Sequence, residues 1–323
     1  MPDLPADTSE WSLHFLGVGN AAAPELGSAS VVLERDGQPL LMVDCGQEAL
    51  SACLARYEQP PPAVFITHVH LDHVAGFERL FVSNYFSGKE GQRTRLYVPA
   101  MLVPLLQGRI ADYPNVVAEG SANFWDAFQL IPVSRGFWHA GHWFDVFPVR
   151  HHVPGTAYGL CLRGAFFYSG DTRPIPEVVA QYADGTMPLV HDCDLHGNPS
   201  HTGLPDLLRE YPAEIIRQML VYHYASVADG AALAAVAGEQ VKGAYGGASC
   251  VESGMGGQEG EVAIAQSMLR GQALLCLACA VERLGGIQGM AGVVWVVPVD
   301  GRAVIGCQSQ EGADPIHPTR ILK

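Results

Sequence analysis

Six consecutive positions, His68-Val69-His70-Leu71-Asp72-His73, carry three imidazoles and a carboxylate just past the apolar run 63–67. Such crowding has few uses other than gripping a cation, because neutral imidazoles and carboxylates are the natural ligands of zinc, manganese and iron. Residues two apart beyond a strand end can point to one side, which pairs His68 with His70. Asp72 and His73 are adjacent and diverge, as they would in the first turn of a helix over "VAGFERLF". One segment can thereby serve two metal ions about 3.5–4 Å apart, a common spacing in binuclear hydrolases. The plainer alternative, a polar loop of hydrogen-bonding histidines, suits a lone His better than this spacing.

A complete site needs donors from elsewhere, and three later stretches offer them. "FDVFPVRHHVPG" ends a strand-like run on His151 and His152; counting by twos from Phe147 through Val149 favours His151 as the inward one. "FFYSGDTRP" sets Asp171 after another strand, where a carboxylate could bridge two cations, and "MLVYHYAS" sets His223 after a short apolar run. Each alone reads as a turn or cap residue; in this order they make a set. His14, His139, His142 and His196 have no such setting and are read as structural or surface histidines.

The elements that must position these groups alternate along the chain. Strands are expected at 11–19, at 30–46 as a hairpin turning on Asp36-Gly37, at 63–67, from Arg95, through 126–150, and at 159–171 around Arg163-Gly164. Helices are expected at 48–57, 101–113 and 206–220. Strands mixed with helices throughout indicate an α/β architecture. After residue 243 the composition turns Gly- and Ser-rich. A further helix over 261–286 and a hairpin around Asp300-Gly301 then suggest a small appended α+β segment. The expected division is a hydrolase domain over 1–243 and a linker with an appended subdomain over 244–323. That tail carries no cluster of chemical residues, and its Cys276-x-x-Cys279 pair, inside an apolar helical pattern, is a weak motif.

Bulk composition narrows the partners. The 323 residues carry 33 acidic against 19 basic side chains, a net charge of −14, which disfavours a polyanion such as nucleic acid. Lys89, Arg93 and Arg95 form the one modest basic cluster, read as a solvated loop. A small anionic ester remains compatible, because bound cations invert the local field. The first residues show no basic-then-apolar leader, and no stretch is long enough to span a bilayer. Eight scattered cysteines fit a reduced, cytoplasmic setting.

Taken together, the ordered motifs resemble the metallo-β-lactamase superfamily, in particular its branch containing ribonuclease Z and related phosphodiesterases. "FLGVGNAAAPELGSASVVLE" and "LLMVDCG", with Asp44, resemble that branch's first strands; "PVRHHVP" and "YSGDTRP" resemble its later motifs. "LVHDCDLHGNPSHTG" resembles its acidic segment ending in a histidine, with Asp192 where Glu is usual and His201 as the trailing His. The resemblance covers about residues 11–243 and implies an αββα sandwich with two divalent ions, zinc or else manganese or iron, at one edge. It implies His68, His70 and His151 on one ion, Asp72, His73 and His223 on the other, and Asp171 between them. Asp44 would orient the histidines, although a turn carboxylate ahead of Gly46 reads equally well.

What the resemblance implies of the reaction is hydrolysis by a metal-bridging hydroxide. Asp72, Asp192 and His201 are the catalytic candidates, His201 as general acid oriented by Asp192 or, alternatively, as a helix-cap neighbour. The acidic surface and the lack of a basic protruding arm disfavour tRNA 3′-processing. The expected enzyme is therefore a phosphodiesterase for a small phosphodiester, with a lactonase or other carboxylic-ester hydrolase as the alternative. A non-catalytic scaffold is disfavoured because every ligand of the set is present. A homodimer is compatible with the apolar tail.

Overall fold

The computed structural model describes residues 10–86, 93–111, 123–237, 242–243, 292–299 and 302–309. Its backbone contacts divide the chain into two units, Met1–Glu261 and Val262–Lys323.

In the first unit, β1 (Trp11–Gly17), β2 (Ser30–Arg35), β3 (Gln38–Val43), β4 (Ala63–Phe65), β5 (Thr94–Pro99) and β6 (Phe128–Val133) lie side by side in that order. β1, β2 and β3 pair antiparallel, with the β2–β3 turn at Asp36-Gly37, and β4, β5 and β6 follow in parallel. The second sheet runs from β7 (Gly136–His139) through β8 (His142–Pro148), β9 (Tyr158–Leu162), β10 (Phe166–Tyr168), β11 (Leu189–Asp192) and β12 (Met219–Tyr222) to β13 (Lys242–Gly243). Helices α1 (Ala49–Tyr57), α2 (Leu71–Val74), α3 (Phe77–Phe86), α4 (Val103–Leu106), α5 (Pro176–Tyr182), α6 (Leu204–Glu210), α7 (Ala213–Ile216) and α8 (Val227–Ala237) fill the connections.

Alternation along the strands explains the layers. Leu13, Phe15, Val31, Leu33, Leu41, Val43 and Phe65 of the first sheet share one buried cluster with Phe147, Leu160, Phe167 and Val190 of the second. The residues between them, Val32, Met42 and Val64, face the other way and pack with Leu50 of α1 and Phe77, Leu80 and Phe81 of α3. Burying a Phe or Leu in this way contributes about 1.5–3 kcal/mol each, so the sandwich is held chiefly by these two apolar layers. The architecture is the expected α/β sandwich of two sheets with helices.

Three expectations need correction. Residues 206–220 do not make one helix: Pro212 interrupts it, α6 and α7 are short, and Met219 already belongs to β12. Proline lacks the amide proton that a helix interior needs, and it restricts the residue before it. Residues 101–113 are helical only in pieces, a 3₁₀ turn at Ala100–Leu102, then α4 with Pro104 in its first turn, then a wide turn over Gln107–Ala111. Arg95 lies on β5, where its guanidinium donates to Gln129, so it is not part of a solvated loop; Lys89 lies outside the described residues.

In the second unit, β14 (Gly292–Val299) and β15 (Arg302–Ser309) pair antiparallel as the sequence predicts. The helix expected over 261–286, with Cys276 and Cys279, lies outside the described residues. Among the described residues no helix is long and apolar enough to cross a membrane.

Candidate metal centre

The donors sit where strands end. β4 runs into His68 and His70, β8 into His151, β10 into Asp171 and β12 into His223, while Asp192 closes β11. None of these strands is an edge strand of its sheet, and the donors at their ends come together along one edge of the sandwich. Two glycines permit the approach. A Cβ on Gly46 would lie 2.0 Å from the Asp72 carbonyl, and one on Gly170, which has φ of +64°, would lie 2.6 Å from the Tyr158 carbonyl. A larger residue at Gly46 would push α2 off the loop that follows β3, and one at Gly170 would push the Asp171 turn off the start of β9.

Of four overlapping donor groups among the described residues, each with ligand atoms within 4.8 Å of one another, two carry the seven expected ligands: His68, His70 and His151, and Asp72, His73, Asp171 and His223. In the first, His68 Nε2 and His151 Nε2 stand 3.0 and 3.3 Å from His70 Nδ1. In the second, Asp171 Oδ2 lies 3.3 Å from His73 Nε2 and 3.1 Å from His223 Nε2, and it also lies 3.6 Å from His68 Nε2. Asp72 Oδ2 lies 3.5 and 3.6 Å from the same two nitrogens of His73 and His223. One carboxylate thus reaches both groups. His151 is buried within the first group, whereas His152 lies outside both groups and is exposed.

The outer nitrogens determine what the inner ones can do. Thr67 Oγ1 donates to Asp44 Oδ2 at 2.6 Å, so the 3.1 Å contact between Thr67 and His68 is a bond from His68 Nδ1–H. His73 Nδ1–H donates to Asp44 Oδ2 at 2.8 Å, and His151 Nδ1–H donates to the Ser200 carbonyl at 3.0 Å. With its outer nitrogen donating, each of these rings in its neutral form aims a lone pair inward, the tautomer required of a metal ligand. His73 Nε2, His223 Nε2 and Asp171 Oδ1 are buried with no hydrogen-bond partner. Buried polar atoms are otherwise almost always paired, so the donor set fits cations.

Electrostatics agree with that fit. Burial lowers the His68 imidazole well below its ordinary value, with His73 adding to the effect, and lowers His151 to about 4. These rings stay neutral and available. Burial would push the Asp171 carboxyl up, but His223, His73 and His68 override it and hold it well below the usual range. Burial likewise opposes charge on His223, yet Asp171, Asp192 and Asp72 raise it to about 10. The carboxylates of this second group draw positive charge toward themselves, which divalent ions would supply.

Asp44 is buried and accepts three bonds, from Thr67 N at 2.8 Å and from Thr67 Oγ1 and His73 Nδ1. It is thus more than a turn carboxylate ahead of Gly46. Asp192 Oδ2 accepts from Thr172 N at 2.8 Å and from His201 Nδ1–H at 2.9 Å, and its Oδ1 faces His223 Nδ1 at 3.6 Å. The His201 ring stands 4.8 Å from the rings of both His151 and His223. Burial lowers its basicity, but the bond and charge of Asp192, with the charge of Asp171, raise it above the ordinary value overall. Among the described residues, three of the six non-glycine residues with positive φ, Asp44, His152 and His223, belong to this edge. Such conformations cost on the order of 1–3 kcal/mol each and tend to collect at functional sites.

The other histidines behave structurally. His139 accepts from Tyr97 Oη–H at Nδ1 and donates from Nε2 to the Leu40 carbonyl; His14 is buried beside Tyr57; His142 meets the Trp11 ring edge-on; His196 is exposed. Sequence reasoning missed Ser200, Thr67 and His191. His191 accepts from the Tyr211 hydroxyl at Nε2 and donates from Nδ1 to the Asp192 carbonyl, stiffening β11 where it delivers Asp192. Ser200 had one available signal, its place in an Asn-Pro-Ser-His turn.

This fold and edge place the protein among the hydrolases of the metallo-β-lactamase superfamily. Among solved structures it is similar to a diphosphatase from the PhnP family, with a TM-score of 0.58 and 18% identity over 73% of this chain and 95% of that one. The metallo-β-lactamase fold protein YhfI from Bacillus subtilis matches with a TM-score of 0.51 and 14% identity, over 67% of this chain and 87% of its own. More specifically, the profile of anti-Pycsar protein Apyc1 matches residues 11–240, and the chain belongs to that family. A curated relative, anti-Pycsar protein Apyc1 of Saccharibacillus brassicae, is 31% identical over 226 residues, 66% of this chain and 90% of the relative.

Proposed function

We propose that the protein is a phosphodiesterase that hydrolyses a small phosphodiester, a cyclic nucleotide, at this edge. In this reading His68, His70 and His151 hold one divalent ion, Asp72, His73 and His223 hold the other, and Asp171 is shared. Zinc suits the imidazole-rich set best, with manganese or iron accepted by the same donors. Bound there, the ions would supply a water of near-neutral pKa and draw charge from the phosphoryl oxygens.

The remaining work falls to this chain's own side chains. Asp44, Thr67 and the Ser200 carbonyl hold the imidazoles in their inward-facing tautomers. Asp192 holds the His201 proton on Nδ1, and the raised basicity of that ring suits it to carry a proton to the departing alkoxide. Leu71 and Val153, 54% and 65% exposed beside His70 and His152, give the mouth apolar surface for the organic part of a nucleotide. The observation that carries the reading is the single Asp171 oxygen within 3.1–3.6 Å of nitrogens from both groups.

The hydrolase unit in this reading is 1–243, consistent with a family match that ends at residue 240, and 244–323 is an appended segment. The described cysteines, Cys45, Cys53, Cys161 and Cys193, are buried free thiols, which supports a reducing, cytoplasmic setting. The test is to load the purified chain with zinc or manganese and compare turnover of 3′,5′-cyclic nucleotides, bis(p-nitrophenyl) phosphate and an acyl lactone. Phosphodiester turnover abolished by His68→Ala supports the proposal. Lactone turnover alone replaces it with the carboxylic-ester alternative.

A further inference from the structure

His152 is left over once the donor groups are complete, yet its placement is specific. It is exposed at the mouth of the edge, its ring 4.1 Å from that of His151 and 4.9 Å from that of His70. Its backbone has φ of +51°, a conformation that glycine would adopt without strain. Its Nδ1 lies 3.3 Å from Ser200 Oγ.

Ser200 thereby touches both adjacent histidines, in opposite senses. Its carbonyl accepts from His151 Nδ1–H, which leaves His151 Nε2 as a lone pair facing inward. Its hydroxyl is free to donate to His152 Nδ1, and a ring that accepts there carries its N–H on Nε2. The turn that carries Ser200 is itself held: Asn198 Oδ1 accepts from Ser200 N at 2.8 Å and from His201 N at 3.0 Å. One short turn therefore presents an acceptor to His151, a donor to His152 and the His201 ring to Asp192.

Resting on the reading above, we propose that His152 is a substrate-anchoring residue whose Nε2–H, set by Ser200 Oγ, donates to a non-bridging oxygen of the substrate phosphate. The chemistry recognised is an anionic oxygen at the mouth. Rotation of the serine hydroxyl lets Ser200 serve a donor-presenting ring while its carbonyl serves a ligand-presenting one.

Losing one hydrogen bond to a charged oxygen corresponds to roughly tenfold in affinity. His152→Ala is expected to raise KM for the phosphodiester about tenfold, with kcat and bound metal unchanged, and His152→Gln, whose amide nitrogen reaches a similar place, to restore most of the loss. His152→Gly should raise Tm by relieving the backbone while still weakening binding, a combination that a merely structural role would not produce. In zinc-loaded protein labelled with ¹⁵N-histidine, His152 is expected as the Nε2-protonated tautomer in the wild type and as a mixture in Ser200→Ala. If the wild type turns over no phosphodiester, the preceding reading falls. The affinity of inorganic phosphate for the metal-loaded chain then decides this one, about tenfold weaker in His152→Ala. Equal phosphate affinity or KM in His152→Ala, no phosphate binding by the wild type, or a wild-type Nδ1-protonated ring overturns the proposal.

Discussion

Replacing Asp44 by Asn tests how the buried edge holds its donors. The carboxylate is fully enclosed, with Oδ1 accepting from Thr67 N and Oδ2 accepting from both Thr67 Oγ1 and His73 Nδ1–H. Asn has the same shape but only one acceptor oxygen. If its amide nitrogen takes the Oδ2 position, it opposes His73 Nδ1–H; Thr67 can turn its hydroxyl, but the imidazole must move its proton to Nε2, the inward atom. If the amide is flipped, its N–H group opposes Thr67 N–H instead. Either orientation leaves one buried donor unpaired, at a cost of about 1–3 kcal/mol, or roughly tenfold to a hundredfold in an equilibrium constant. The same range is typical when an outer partner of a metal-ligating histidine is lost. Competition with a chromogenic chelator should therefore show the Asp44→Asn chain binding its weaker equivalent of metal ten to a hundred times less tightly, with far-UV circular dichroism unchanged. Metal affinities within twofold of the wild type would refute the argument that Asp44 sets the His73 tautomer.

His201→Ala should lower kcat on a cyclic nucleotide by about 10²–10⁴ while affecting bis(p-nitrophenyl) phosphate much less, because nitrophenolate leaves without a proton; equal losses on both substrates would remove His201 from the acid role. Tyr211→Phe deletes a buried hydroxyl that accepts from Ile175 N and donates to His191 Nε2, so urea denaturation should show a loss of about 2–4 kcal/mol. His139 is held below its ordinary value, chiefly by burial, despite its bond to the Leu40 carbonyl. Its unfolded form therefore binds a proton that the folded form refuses. Stability should be full above the unfolded value of 6.5 and fall as pH drops below it toward the lowered folded value, a decline that His139→Asn flattens in urea midpoints measured from pH 7 to 5.

Much of this edge was legible because its donors are short polar interruptions of apolar strands. His223 directly follows an apolar run, His68 and Asp171 follow one after one and two intervening residues, and alternation from Phe147 points to His151 over His152. The six-residue cluster supplied the direction in which to look for the others. Longer elements were harder. Met219–Tyr222 is an apolar run that suits a helix or a strand equally, and only its parallel pairing with β11 decides for a strand. Pro212 is a break that the sequence itself displays, and the helix stops before it. Ser200 and Thr67 were illegible for a different reason. They act through a carbonyl, an amide and hydroxyls, which no spacing rule registers, and Ser200 meets His151 and His152 only because the Asn198 turn lies against the segment that follows β8.

The measurement that bears most directly on the whole account is metal stoichiometry in the wild type and in Asp171→Ala, read by elemental analysis beside phosphodiester turnover. The account predicts two equivalents of a divalent metal per wild-type chain. In the variant it predicts one or fewer, with turnover lost, because one buried oxygen serves both donor groups. A wild-type chain that binds no metal, or an Asp171→Ala chain that keeps two equivalents and full turnover, would contradict it.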